Sequence, residues 1–296
     1  MDFMDSAFLA SYYDTSCWYK EVGMYAAEGA RNHGLLNISP VDFFKTRVIY
    51  PEIEEQTQIG NFFQQLDKLI ELQTRAVESA ETYKKAMLQK MVPQKGETEP
   101  QLRFEGFSGE WEAHALSDVA KIVGGGTPDT TIPEYWNGDI NWYSPTEIGL
   151  TRFVKESTRK ITDLGFQKSS AKLLPANQTV LFTSRAGIGD MAILKAAGTT
   201  NQGFQSLVVN DHNDVYFIYS MGHLIKREAL RVASGSTFLE ISGKALGKIK
   251  LKFPLKKEQT KIGEFFQALD ERIEVETKKL NHYESLKKAM LQRMFV

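Results

Sequence analysis

The sequence predicts an α+β protein: one globular mixed α/β domain plus two long α-helices that form an antiparallel coiled-coil spacer. Three observations predict this class. A 42-residue segment occurs twice, both copies have the composition of a long helix, and short strand-like runs bounded by turn residues lie between them. The order along the chain is therefore a short segment, the first repeat, a domain and the second repeat.

The duplicated segment is the strongest signal in the sequence. It covers residues 51–92 and again residues 254–295, at a constant offset of 203, and 22 of the 42 paired positions are identical. Both copies open with P-x3-EQ, and both follow a similar lead-in, LNIS at 36–39 and LEIS at 239–242. This level of identity without a gap indicates duplication rather than chance.

Each repeat predicts one long helix, over residues 51–92 and 254–296. Neither copy has a proline after its first residue or a glycine after Gly60 or Gly263, and strong helix formers dominate. About 38 helical residues make a rod on the order of 55 Å long, so we expect a spacer rather than an ordinary core helix.

Apolar residues recur at spacings of three and four along both repeats, as in a seam that pairs with another helix. The seam therefore predicts helix pairing or a partner interface. Its predicted residues are Ile59, Phe62, Leu66 and Leu69 in the first copy and Ile262, Phe265, Leu269 and Ile273 in the second.

A polar linker at 93–100 precedes the predicted globular domain, which covers residues 101–253. Runs of β-branched and aromatic residues bounded by Gly, Asn, Asp or Pro predict its strands. These runs are at 179–183, 191–194, 207–209 and 249–253, and a helix is predicted over 215–232. Residues 139–146 and 199–203 are instead interpreted as loops.

The loops of this domain carry small polar side chains and glycines. Asn and Gln can pair with adenine, Arg with guanine, and glycine lets backbone approach a phosphate, so the pattern favours contact with base edges. The residues concerned are Gly126, Thr127, Trp142, Arg185, Asn201 and Gln202. Each also has a plain alternative: a turn at 124–128, a surface charge at Arg185, backbone hydrogen bonds from 201–202, and a core position for Trp142.

Three lysines at 248, 250 and 252 alternate with apolar residues and would share one face of a strand. Such a row is typical of a solvated face. The first repeat keeps only two of the three charges before its helix, which weakens any claim that the row binds phosphate.

Composition and charge exclude several classes of protein. The chain has 296 residues, of which 42% are apolar and 25% charged, and it contains no run of 18 apolar residues. Its opening residues carry no early lysine or arginine, so we expect a cytoplasmic location.

Cys17 is the single cysteine and the five histidines are scattered, so neither an internal disulfide nor a metal site is expected. A net charge of -1 excludes a nonspecific polycation but not a local DNA-binding surface.

Several short motifs together resemble the DNA-specificity subunit of type I restriction-modification systems. Each motif is weak by itself, but their order and the duplicated helix make the resemblance specific. They are LRFEGFSGEW at 102–111, GGTP at 125–128, YWNGDINW at 135–142, TSRAGIG at 183–189, TNQG at 200–203, GST at 235–237, and the P-x3-EQ opening of both helices.

The resemblance implies a DNA-reading scaffold. In that family two target-recognition domains each read half of a bipartite DNA site, and two conserved helices hold them at a fixed distance. The subunit docks modification subunits, which methylate adenine N6 with S-adenosylmethionine, and restriction subunits, which translocate and cleave. We therefore expect no cofactor and no catalytic residue in this chain, and the DNA-facing set grows to include Ser236 and Thr237.

The sequence departs from the family pattern in having one complete recognition domain, at 101–253, while residues 1–50 resemble the C-terminal remnant of another. The two helices could pair within one chain, or two chains could form a homodimer, or the chain could pair with another specificity fragment. A two-fold dimer predicts a palindromic bipartite target, and a different fragment predicts an asymmetric one. A silent allele that does not assemble stays an alternative, whereas an enzyme is disfavoured because no NPPF-like or DPPY-like methyltransferase motif occurs.

Overall fold

The computed structural model describes residues 3–28, 36–94, 96–185, 187–235 and 239–295. The chain divides into two compact units. One, which we call the helical unit, comprises residues 1–82 and 271–296; the other, the sheet unit, comprises residues 83–270.

The elements follow one another from short helices, through the long helix, into a strand-rich region, and back to a long helix. The helices are α1 (Ser6–Tyr13), α2 (Ser16–Gly23), α3 (Pro40–Phe43), α4 (Ile53–Lys90), α5 (Leu116–Val119), α6 (Asp163–Gln167), α7 (Val215–Ser220), α8 (Gly222–Val232), α9 (Gly243–Gly247) and α10 (Lys256–Met294). The strands are β1 (Ala27–Glu28), β2 (Leu36–Asn37), β3 (Glu112–Ala115), β4 (Ala120–Gly124), β5 (Trp136–Tyr143), β6 (Phe153–Val154), β7 (Arg159–Ile161), β8 (Thr179–Phe182), β9 (Met191–Leu194), β10 (Gly198–Thr200), β11 (Gln205–Val209) and β12 (Lys250–Phe253).

The two long helices are confirmed, each starting two residues after its proline. Within the helical unit they run in opposite directions, because Asp67 pairs with Lys287 at 2.7 Å and Gln73 donates to the Glu276 carboxylate at 2.7 Å. Within the sheet unit Lys84 pairs with Asp270 at 2.5 Å, again in antiparallel sense. Asp67 and Asp270 are equivalent in the repeat, as are the two lysines, so each unit contains a copy of the same ion pair.

Burial of the predicted seam residues varies along the two helices. Phe63 and Phe266 are fully buried, whereas Phe62 is 39% exposed and Phe265 is only partly buried. One residue corresponds to a rotation of about 100° on an α-helix, so the adjacent phenylalanine faces a different side. Of the other predicted seam residues, Ile59, Leu66 and Ile262 are buried, Leu269 and Ile273 are half-buried, and Leu69 is exposed.

The sheet unit is built around a five-stranded sheet in the order β4-β11-β8-β9-β6, antiparallel except for β6 and β9. A three-stranded sheet, β10-β5-β7, joins β10 to β5 in parallel. Strands β12 and β3 form an antiparallel pair. The largest core cluster packs α7, α8, α9 and the inner ends of α4 and α10 against the five-stranded sheet.

Four predicted strands are confirmed as β8, β9, β11 and β12. The predicted loops at 139–146 and 199–203 are in part strands, because the end of β5 and β10 pair with each other inside the sheet unit. Their Asn and Thr side chains suggested loops, but buried hydrogen bonds satisfy them: Asn141 Nδ2 donates to the Lys155 carbonyl at 3.2 Å, and Thr199 Oγ1 to the Asn141 carbonyl at 2.9 Å.

Two further predictions are corrected in the same region. The helix expected over 215–232 is two helices, α7 and α8, which meet at Met221. The lysine row does not lie on one strand, since Lys248 caps the C-terminus of α9 and β12 begins at Lys250. Lys252 Nζ donates to the Glu97 carbonyl at 2.5 Å, so this lysine is engaged within the unit.

Neither α4 nor α10, nor any shorter helix within the described ranges, combines the length and apolarity that a membrane span requires.

Candidate functional site

Three segments of the sheet unit that are distant in sequence converge into what we call the loop cluster: residues 125–127, 201–203 and 184–185. Backbone hydrogen bonds connect them. Gly126 N donates to the Thr200 carbonyl at 2.8 Å, and Ser184 N donates to the Gly203 carbonyl at 2.8 Å. Ile241 N in turn donates to the Ser184 carbonyl at 3.0 Å. Main-chain hydrogen bonds thus hold the loop cluster together independently of its side chains.

Glycine is required where these segments touch. A Cβ on Gly125 would lie 1.9 Å from the Asn201 carbonyl oxygen, and one on Gly126 would lie 2.5 Å from the Ala171 nitrogen. Both distances are below any real contact, and the obstructing atoms are backbone. The GGTP motif therefore has a steric role: Gly125 lets the segment lie directly against the turn at 201–203, and Gly126 lets it lie against the backbone at 170–171.

This packing brings four predicted site residues together. Thr127 Oγ1 donates a hydrogen bond to Gln202 Oε1. The side chains of Asn201 and Arg185 lie around Gly203. A Cβ added to Gly203 would be 2.9 Å from Asn201 Oδ1 and 3.6 Å from Arg185 Nε. Thr127, Gln202, Asn201 and Arg185 therefore form one continuous polar group.

The free groups of this set are donors. Asn201 Oδ1 accepts a hydrogen bond from Gly203 N at 2.8 Å, and Gln202 Oε1 accepts one from Thr127, which leaves both NH2 groups directed elsewhere. In the part of the chain that the structure describes, neither NH2 group nor the Arg185 guanidinium has a hydrogen-bonding partner. Such an arrangement can bind the acceptor atoms of purine edges or of phosphates.

Trp142 does not belong to this exposed group. It is 5% exposed, its Nε1 donates to the Gly126 carbonyl at 2.9 Å, and its ring meets Trp136 edge-on at 5.1 Å. Burial removes it as a platform on which a base could stack, so it supports the loop cluster from beneath. Ser236 and Thr237 lie outside the described residues.

Sequence reasoning missed the groups that support the cluster. Glu147 lies at the turn after β5, where its carboxylate accepts hydrogen bonds from Ser144 N at 2.8 Å and Thr158 N at 2.6 Å. Burial alone would raise the pKa of Glu147, but these hydrogen bonds hold the pKa below its ordinary value. Burial raises the pKa of neighbouring Tyr143 to about 12. The S-P-x-E pattern, a capping box, was the available signal.

The EQ pair that opens each long helix anchors other segments. In the sheet unit, Gln259 Oε1 accepts from Asp214 N at 3.1 Å, and Asp214 caps α7 by accepting from Phe217 N at 2.8 Å. Gly263 allows this approach, because a Cβ there would lie 2.6 Å from Asp214 Oδ1. We call this arrangement the clasp.

The helical unit contains a second clasp built from the equivalent helix residues. Gln56 Oε1 accepts from Asp5 N at 2.9 Å, and Asp5 caps α1 by accepting from Phe8 N at 2.9 Å. A Cβ on Gly60 would lie 2.7 Å from Asp5 Oδ1. The segment before α4 thus meets its helix through the same atoms as the segment 214–217 meets α10.

The glutamate of the second EQ pair makes a buried ion pair. Arg103, in the LRFEGF motif, donates to both oxygens of Glu258 at 2.8 and 2.7 Å, and the carboxylate is 3% exposed. This contact ties the start of the domain to the start of α10. Glu55, its counterpart in the first repeat, is exposed.

Comparison with protein families gives one match over more than half of the chain. Residues 108–285 match the model described as type I restriction modification DNA specificity domain. Among curated proteins, the chain is 31% identical over 194 residues to the type I restriction enzyme MjaIX specificity subunit of Methanocaldococcus jannaschii, covering 63% of this chain and 44% of that protein. It is 34% identical over 169 residues to the EcoR124I/EcoR124II specificity subunit of Escherichia coli, covering 55% of this chain and 41% of that protein.

Solved structures show the same fold. The S subunit of a type I restriction-modification system from M. genitalium aligns with a TM-score of 0.67 at 17% identity, over 99% of this chain and 73% of that one. The HsdS subunit from Thermoanaerobacter tengcongensis aligns with a TM-score of 0.56 at 16% identity, over 99% and 70%. The chain spans less than half the length of the curated relatives given above. On the family match, the protein belongs to the type I restriction-modification DNA specificity family.

Proposed function

We propose that this chain is the sequence-reading subunit of a type I restriction-modification complex, and that its sheet unit reads half of a bipartite DNA site. The observation that carries the proposal is the loop cluster, where Arg185, Asn201 and Gln202 present unpaired donors beside one another. Donors of this kind match the N7 and O6 acceptors of guanine and the acceptors of other base edges. Family membership supports the same function.

The chemistry is assigned to partner proteins. We propose that modification subunits dock on the chain and methylate adenine N6 with S-adenosylmethionine, that restriction subunits complete the complex, and that this chain itself holds no cofactor and catalyses no reaction. The exposed apolar positions of the long helices, such as Phe62 and Leu69, are available for docking. The relatives are named as specificity subunits, in agreement with this division.

The helical unit supports a proposal about domain organisation. Because the segment at 5–8 makes the clasp that the segment at 214–217 makes in the sheet unit, we propose that the residues before α4 are the C-terminal remnant of a second recognition domain. The complete recognition domain is then residues 101–253, between the two helices. A second reader would come from another copy of this chain or from another specificity fragment.

The test is to co-express the chain with the modification subunit of its own system in a host without adenine methylation, and to read methylated adenines across the host genome. A bipartite motif that disappears when this chain is omitted is the expected result. A motif that persists without the chain would contradict the proposal. No motif in the presence of a stable complex would favour the alternative, a silent allele.

A further inference from the structure

The sheet unit has an open cleft of about 780 Å³ beside β4. Ser117, the start of β4, Asn210 and the short helix α9 line it. Three of the lining residues are lysines, Lys121, Lys244 and Lys248, and all three are exposed. We call this feature the lysine cleft.

The positive charge of the lysine cleft is not neutralised locally. None of its three ammonium groups has a carboxylate within ion-pairing distance or a hydrogen-bond acceptor among the described residues. Asp118 is close in sequence, but its carboxylate accepts a hydrogen bond from Ala115 N at 2.9 Å. Three unpaired cations around one cleft favour a polyanionic ligand.

The lysine cleft and the loop cluster share the same elements. Strand β4 carries Lys121 and ends at Gly124, next to the first residue of the loop cluster. On the other side, Ile241 bonds to Ser184 of the cluster, and α9 starts two residues later at Gly243. Lys121 lies four positions before Gly125, which is about 13 Å at 3.3 Å per residue in extended chain.

That separation fits duplex DNA. The major groove is about 12 Å wide. A protein group that contacts the base edges in this groove therefore lies at a distance from the phosphate backbone that is comparable with the separation of Lys121 and Gly125. We infer that the lysine cleft binds the sugar-phosphate backbone bordering the half-site whose bases the loop cluster reads. The inference rests on the proposed function, and it assigns Lys121, Lys244 and Lys248 to affinity rather than to sequence choice.

The structure separates this surface from the lysine row that the sequence suggested. Lys252 is engaged with the Glu97 carbonyl, and Lys250 is not among the residues that line the cleft. Of that row only Lys248 belongs to it. Its companions Lys121 and Lys244 come from β4 and α9, which only the fold brings together.

The experiment measures binding of the full chain to a fluorescent duplex of random sequence over a series of salt concentrations. The variant Lys121→Gln/Lys244→Gln is compared with the matched control Lys155→Gln/Lys195→Gln, whose lysines follow β6 and β9 near the opposite edge of the same sheet. The logarithm of the binding constant falls linearly with the logarithm of the salt concentration, and each phosphate contact contributes about 0.9 to the steepness of that fall. The cleft variant loses two lysines, so the magnitude of its slope should be smaller by roughly 2. The control should leave it unchanged.

The outcomes separate this inference from the proposed function. Equal slopes for wild type and cleft variant would overturn the inference, even if the methylation experiment returns a motif. A lowered slope without any methylation motif would keep the cleft as a DNA-backbone surface and count against the specificity role. Loss of the modification subunit from the complex, with the DNA slope unchanged, would mean that the cleft docks a protein and would also overturn the inference.

Discussion

At the scale of single residues, the candidate site is defined by which hydrogen-bonding groups are already used. The side-chain oxygens of Asn201 and Gln202 each accept a hydrogen bond from a neighbour, so among the described residues their NH2 groups remain available as donors beside the Arg185 guanidinium. The residue types were predictable from sequence. The orientation of Gln202 was not, because it depends on Thr127, which lies 75 positions away in sequence, whereas Asn201 bonds to Gly203 two residues further on.

Replacing a base-contacting side chain should change specificity more than affinity. We expect Arg185→Ala or Asn201→Ala to cost roughly 1–3 kcal/mol at one base position and little at the others. Competition binding against duplexes that differ at single positions measures this, with Lys155→Ala as the control. Uniform weakening over all duplexes would show that Arg185 contacts the backbone rather than a base.

Glu147 makes stability depend on pH in a defined direction. Its pKa is lowered in the folded chain, so below the ordinary value of about 4.3 the unfolded chain binds more protons and folding is weakened. The stabilisation is therefore complete above about pH 4.3 and is lost as pH falls through the lower folded pKa.

The variant Glu147→Gln tests this contribution. Denaturant unfolding from pH 3 to pH 7 should show the wild type more stable than the variant at neutral pH, with a difference that shrinks as pH falls. Glu134→Gln, at an exposed position of the same domain, is the control. Its stability difference from the wild type should not shrink in this way as pH falls. A constant gap between wild type and Glu147→Gln at every pH would contradict the interpretation.

At the scale of elements, the duplicated helices repeat their contacts as well as their sequence. Each unit has one clasp, with Gln56 and Gly60 in one and Gln259 and Gly263 in the other. Each also has one aspartate–lysine pair between antiparallel helices. Shared packing thus explains the identity of the glutamine, the glycine, the aspartate and the lysine of these contacts in the two repeats.

The clasp predicts that its glycines cannot be replaced. We expect Gly60→Ala and Gly263→Ala each to lower the free energy of unfolding by about 1–3 kcal/mol, because the added methyl group would meet the capping aspartate and the backbone beside it. Gly23→Ala, at the end of α2 with no atom within 4 Å of the added Cβ, is the matched control and should be close to neutral. Urea unfolding measures all three, and unchanged stability of Gly263→Ala would refute the steric role.

At the scale of the whole molecule, the question is how many copies of the chain form a functional reader. The family resemblance leaves open a two-fold dimer and a pair with another specificity fragment. Sedimentation of the complex with the modification subunit gives the number of copies, and the methylome gives the symmetry of the motif. We expect the two to agree: two copies with a palindromic bipartite motif, or one copy with an asymmetric motif.

A mismatch between these measurements would reject the hypothesis that each recognition domain reads one half-site. Two copies with an asymmetric motif would be such a result. The variant Gly60→Ala adds a control, because it weakens the helical unit without touching the loop cluster of the sheet unit. Reduced assembly with an unchanged motif is expected from it.

The duplicated helices, their antiparallel pairing, the strands β8, β9, β11 and β12 and the family could all be predicted from the amino-acid sequence. These follow from periodicity, propensity and motif order, which are local or repeated properties of the chain. The three-four pattern admits either of two adjacent phenylalanines in each helix, and packing within each unit buries Phe63 and Phe266.

The polar residues that share a surface, in contrast, can be identified only in the folded chain. Trp142 is a core residue because Trp136 and the Gly126 carbonyl enclose it, and its sequence environment resembles that of an exposed aromatic loop. The loop cluster, the lysine cleft and the clasp each join residues about 50 to more than 100 positions apart. No local pattern encodes such contacts, because they arise from the order in which strands and helices pack.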